Sequence, residues 1–162
     1  MGARAARIRK GQNRMDKKTF VEMIRNAAPQ GTTFRNPSNK GTSKILSHSA
    51  SDTSYQRGKS AIHIGYDALF DVLNTFTNKM VTSTDMREHN PSVFGAKGHP
   101  CNCTFLFLVF LAAGLVDSIE GEGKSGNPFR AIILPQPRRR QPDWVNPYLV
   151  YSPLSRPAVK VA

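Results

Sequence analysis

The chain has 162 residues, 39% of them hydrophobic, and a formal charge of +12. That length holds one domain with appendages or two very small ones, and the apolar fraction fills one core while leaving part of the chain outside it. Positive charge in clusters points to a polyanionic partner whose phosphates release counterions on binding. No apolar run reaches the roughly 18 residues of a membrane span, so no membrane partner is expected.

Residues 1–14 carry Arg4, Arg7, Arg9, Lys10 and Arg14 without an acid. Such a block repels itself and is expected to be a flexible arm until it meets phosphates. The start has no apolar signal-peptide core, and Ala6 stands where myristoylation wants Ser or Thr. Residues 15–65 read as a helix with a small β-sheet. Asp16 is the expected N-cap of a helix over 17–28, with Phe20, Val21, Ile24 and Ala28 as its buried stripe. Thr32–Arg35, Ser43–Leu46, Thr53–Gln56 and Ala61–Ile64 are strand candidates, the last two joined through Arg57-Gly-Lys-Ser60.

Residues 66–134 change period. A helix is expected over Tyr66–Phe76, then a short connection over 78–82. A second helix over Ser83–Glu88 has Asp85 and Glu88 at capping-box spacing and stops before Asn90-Pro91. The loop Gly95-Ala-Lys-Gly-His-Pro100 leads into the apolar run Cys103–Val116, with Asn102 or Thr104 capping that third helix. A Gly-rich stretch, 117–129, and the strand-like Arg130–Leu134 complete this region. Residues 135–162 form a Pro/Arg-rich tail in which Arg138, Arg139 and Arg140 stand together. Six prolines between Pro135 and Pro157 argue against another helix, and Trp144, Tyr148, Val150 and Tyr151 dock the tail on the body or on a partner.

The chemistry-bearing motifs are weak. Gly58-Lys-Ser60 and Gly123-Lys-Ser125 lack the glycine five places earlier that a phosphate-binding loop needs, since Thr53 and Ser118 stand there. As exposed basic tips both suit a nucleic-acid backbone. Cys101 and Cys103, the only two cysteines, are one residue apart, too close for a structural disulfide and closer than zinc-binding pairs, so the chain reads as reduced and intracellular, with no metal. Glu120-x-Glu122-x-Lys124 superficially matches a nuclease element without its separated Asp, and no spaced Ser/His/Asp triad is present. No enzyme and no cofactor are expected.

Three helices on short connections, followed by a Gly-rich hairpin, resemble the winged helix-turn-helix superfamily over about residues 66–134. The resemblance implies an α+β fold with a three-helix winged-helix core and a C-terminal β-hairpin wing, preceded by a helix and a small antiparallel sheet. It implies a non-catalytic DNA-binding protein, a transcriptional regulator or architectural factor on double-stranded DNA. Lys97, His99, Asn102 and Thr104 would then approach the major groove, and Lys124, Asn127 and Arg130 the backbone or minor groove. Arg57 and Lys59, the arm (Arg7, Arg9, Lys10) and Arg138–Arg140 would hold phosphates. The expected location is cytoplasmic and nucleoid-associated, or mitochondrial or nuclear in a eukaryote. Two other readings stand beside this one. A winged helix used for docking would meet a protein partner or a second subunit through the apolar third helix and aromatic tail. A structured-RNA or ribosome-associated binder is the other, though it lacks the aromatic RNA-binding signatures.

Overall fold

The computed structural model describes residues 15–154, so the basic arm at 1–14 and the last residues of the tail, 155–162, lie outside the described residues. Helix α1 (Lys17–Ala27) begins where the Asp16 carboxylate accepts a hydrogen bond from the Thr19 amide at 2.8 Å. That satisfies a donor that every helix start leaves without a partner. Phe20, Ile24 and Ala28 are fully buried along the expected stripe.

Strands β1 (Thr33–Arg35), β2 (Thr42–His48), β3 (Asp52–Arg57) and β4 (Ser60–Gly65) follow, close to their expected places. They pair antiparallel, and the cross-strand row Ile45–Tyr55–Ile62 points into the core together with Phe34 and Ile64. The alternate residues Lys44, Gln56 and His63 lie on the outer, solvent-facing side. Then come α2 (Tyr66–Phe76), β5 (Met80–Thr82), α3 (Ser83–His89), α4 (Pro91–Phe94), α5 (Cys101–Ala113), β6 (Arg130–Ile132) and β7 (Leu149–Tyr151). Strand β7 returns the tail to the sheet edge, giving the order β4-β3-β2-β1-β7, while β5 and β6 make a separate antiparallel pair. None of the described helices is long and apolar enough to cross a membrane.

The α+β class stands, but the expected winged-helix core does not. Among the described residues, five helices accompany a five-stranded antiparallel sheet, and four of its strands precede most of the helices. The physical reason lies in α5. Every residue from Phe105 to Phe110 is at 0% exposure, so this helix is the centre of a shared core and presents no face of its own. The sheet covers it through Tyr55, whose ring stacks on Phe105 at 3.9 Å, and α1 covers it through Phe20 against Phe110 at 5.9 Å. After α5, residues 117–129 make only the isolated bridges Glu120–Arg130 and Lys124–Asn127, and β6 pairs with β5 instead.

Three local expectations are corrected too. Residues 80–82, expected as connection, are a strand. The capping box of α3 uses Thr82 and Asp85 instead of Asp85 and Glu88. Helix α5 starts at Pro100 without a side-chain cap from Asn102 or Thr104.

The last turn of α5 explains much of the tail. Gly114 takes φ +81 as its C-cap, and a Cβ there would sit 3.0 Å from the Arg138 carbonyl. That conformation and that approach both favour glycine. The Arg138 amide donates to the Gly114 carbonyl, and the Arg140 guanidinium donates to the carbonyls of Leu111 and Val116 at 2.7 and 3.0 Å. A cation at these carbonyls suits the negative end of the helix dipole. Trp144 then covers the same guanidinium, its ring centroid 3.6 Å from the Arg140 Cζ.

His48, at the end of β2, joins α1 to α2. Its Nε2 lies 2.7 Å from the Ala28 carbonyl and must carry the proton, so Nδ1 accepts from the Tyr66 and Thr53 hydroxyls at 2.9 and 3.0 Å. Desolvation holds its pKa below the ordinary histidine value, the Ala28 carbonyl opposes that shift, and the Arg25 guanidinium adds to it. The neutral ring is thus the form that suits the fold. Its contribution is present above the unfolded pKa of about 6.5 and is lost as pH falls from there through the depressed folded value. Denaturant titrations between about pH 7.5 and 5 should show falling stability in the wild type. His48→Gln should show a smaller fall over the same range, and an identical fall would contradict the assignment.

Candidate nucleic-acid interface

Most described cations with visible partners are spent on the fold. Lys17 pairs with Asp67, Arg130 with Glu120 at 3.7 Å, and Arg138 with Asp117 at 2.9 Å. Arg25, Arg35 and Arg140 donate to backbone carbonyls. Arg57, Arg87 and Lys124 have no acidic partner among the described residues, as several exposed lysines also have none; what sets these three apart is where they stand.

These three come from separate elements and line one groove of about 730 Å³. Arg57 ends β3 and Arg87 lies on α3, while Lys124 stands on the 121–127 turn. The groove is also lined by the hydroxyls of Ser83, Thr84, Thr104 and Ser125, and no Asp or Glu is among its lining residues. In a chain with 11 acidic residues, that one-sided lining makes a site of positive potential.

Each cation is positioned by its own element. Alternation along β3 puts Tyr55 and Arg57 on one face, both over the first turn of α5. Arg57 Nη1 donates to Thr104 Oγ1 at 3.0 Å, a neutral acceptor that leaves the charge intact. Arg87 sits one helical turn after Ser83 and Thr84, so α3 offers all three to the groove. The amides of Glu122, Gly123 and Lys124 all donate to the Asn127 carbonyl at 3.0 to 3.2 Å, which fixes the turn below Lys124. Gly123 is required there, since a Cβ would approach the Phe129 ring to 2.4 Å. Those amides are consumed within the turn, so Gly123-Lys-Ser125 is no phosphate-cradling loop. Gly58-Lys-Ser60 is simply the β3–β4 turn.

The groove brings together only Arg57, Thr104 and Lys124 of the residues singled out from the sequence. Asn102 is 2% exposed, and its side chain is committed inward. It accepts from the Tyr55 hydroxyl at 2.7 Å and donates to the Val93 carbonyl at 2.9 Å. It therefore has no edge to offer a base. Lys97 and His99 are exposed on the loop before α5, and Lys59 on the β3–β4 turn. Asn127 and Arg130 bond to each other and to Glu122 and Glu120. Arg139 is exposed, but Arg138 and Arg140 hold the end of α5. Arg7, Arg9 and Lys10 lie outside the described residues. Sequence reasoning missed Arg87, which carries no signal beyond its spacing from Ser83 and Thr84.

Other chemistry is thinly represented. Cys103 is buried and its thiol is pushed up to about 12, by desolvation first. Cys101 is half-buried, with its Sγ 3.3 Å from the Tyr55 hydroxyl. Among the described residues no cluster of three or more His, Cys, Asp or Glu converges to hold a metal. Ser54 Oγ lies 2.9 Å from His63 Nδ1, the contact of a nucleophile with its base. Ser54 is only 6% exposed, however, and no carboxylate bonds the histidine among the described residues. No protein-family model, no curated protein and no solved structure matches this chain.

Asn102→Ala should act on stability. Losing both bonds leaves the Tyr55 hydroxyl with only Cys101 Sγ and the Val93 carbonyl with only the His99 amide, and should cost about 1 kcal/mol. Denaturant melts check this, and an unchanged midpoint would contradict the inward role.

Proposed function

We propose that this chain is a non-catalytic nucleic-acid-binding protein that holds a phosphodiester backbone in the groove between β3, α3 and the 121–127 turn. The observation that carries this reading is the convergence of Arg57, Arg87 and Lys124 on one concave surface with no lining carboxylate. Phosphate oxygens would take the guanidinium forks and the ammonium, and the Thr84 and Ser125 hydroxyls would donate to the remaining oxygens. The basic arm at 1–14 would add sequence-independent attraction. With Asn102 turned inward, affinity comes from the backbone more than from base edges. The reading suits an architectural or coating protein better than a site-specific regulator.

One observation favours a second, protein-binding reading elsewhere on the molecule. Strand β7 is a sheet edge, and Val145, Leu149, Val150, Tyr151 and Leu154 around it are 37 to 77% exposed. Among the described residues no strand pairs with the outer side of β7, and an apolar edge is a template for pairing with another chain.

Lys124→Glu should weaken binding of a labelled random-sequence oligonucleotide roughly tenfold near 0.15 M salt, because phosphate contacts dominate affinity. Fluorescence anisotropy reads this directly. Unchanged binding would remove the groove from the interface, and capture of a protein by the β7 edge would then become the leading reading.

A further inference from the structure

We infer that the groove takes a single strand, DNA or RNA, in preference to a duplex; this rests on the nucleic-acid reading above and specifies its substrate. Reading a duplex directly calls for a helix or a two-stranded ribbon that enters a major groove about 12 Å wide. Helix α5 cannot serve. It is buried from Phe105 to Leu111, and its first-turn side chains Asn102 and Thr104 are bonded within the protein. The cations occupy the walls of a concavity instead of a projecting element. Its 730 Å³ falls in the range of clefts that enclose a small molecule, roughly 300–1,000 Å³, which suits a single nucleotide unit.

The walls also carry more than phosphate chemistry. Pro100 and Pro128 offer apolar surface beside the cations, and Thr84 and Ser125 offer hydroxyls, while Phe129 and Ser83 are buried beneath them. An unpaired base has a flat apolar face and exposed polar edges that use both. A paired duplex hides its base faces and would leave the apolar walls unfilled. Single-strand sites combine a cationic track along the backbone with surfaces, most often aromatic rings, that receive base faces; here the two prolines take that place.

The test compares wild type with Arg57→Ala/Arg87→Ala/Lys124→Ala and with a charge-matched control, Lys18→Ala/Lys44→Ala/Lys79→Ala, whose lysines are exposed outside the groove. The probes are a labelled mixed-sequence oligonucleotide of about 12 nucleotides as single-stranded DNA, as RNA of the same sequence, and as DNA and RNA duplexes. Anisotropy is followed across a salt series, with thermal melts as the folding control. The expected result is at least roughly tenfold tighter binding of single strands than of duplexes by wild type. The groove variant should lose that preference and flatten the slope of log K against log salt by about 2, near 0.7 per phosphate contact. The control should keep the preference. The two single-strand arms show whether DNA or RNA is favoured. Duplex bound as tightly as single strand, with both weakened by the groove variant, would overturn the inference and leave nucleic-acid binding standing. Equal effects of groove variant and control, or no binding of any probe, would overturn both.

Discussion

The contact on which the rest depends is the closure of β3 over the first turn of α5. Tyr55 lays its ring on Phe105 at 3.9 Å with the planes only 3° apart, and sends its hydroxyl to Asn102. Two residues on, Arg57 reaches Thr104. A helix apolar on every side must be enclosed, and a sheet face with inward aromatic and aliphatic residues does this within the chain. Stacking of this kind contributes about 1 kcal/mol beyond area burial. Its larger consequence is geometric. By fixing the end of β3 against α5, it places one wall of the basic groove relative to α3 and the 121–127 turn.

The charge is divided between two uses. Arg140 stabilises the end of α5 by meeting its last carbonyls and lying against Trp144, while Arg25 and Arg35 tie strands and tail together through backbone oxygens. These cations are committed to holding the helix end, the strands and the tail, at separate places on the molecule. Arg57, Arg87 and Lys124 meet neutral groups or solvent, and their charge stays available in one place. A total of +12 therefore overstates the charge available to a partner and says nothing of where it lies.

Local structure was legible from the sequence where chemistry acts at short range. Asp16 with Phe20 and Ile24 marks α1, and alternation marks β2 to β4, because capping and side-chain period act over a few residues. The apolar run after Cys101 marks a buried helix but not what buries it, because a uniformly apolar helix has no face to read. Its covering by the sheet is a long-range pairing, and it removed Asn102 from the surface. The Arg138–Arg140 run illustrates the same limit. Clustered charge looks like a phosphate arm until Gly114 and the end of α5 are placed beside it. The groove itself joins positions 57, 87 and 124, whose separation in the chain conceals their meeting in space.

Hydrogen–deuterium exchange on the full chain, with and without a saturating single-stranded oligonucleotide, tests the central claim most directly. Protection should appear in three segments distant in sequence, around 55–60, 83–88 and 121–129, with the outer face of the sheet at 42–46 unchanged. Protection confined to the tail and the β7 edge, or spread evenly over every exposed basic segment, would contradict a groove built by the closure of β3 over α5.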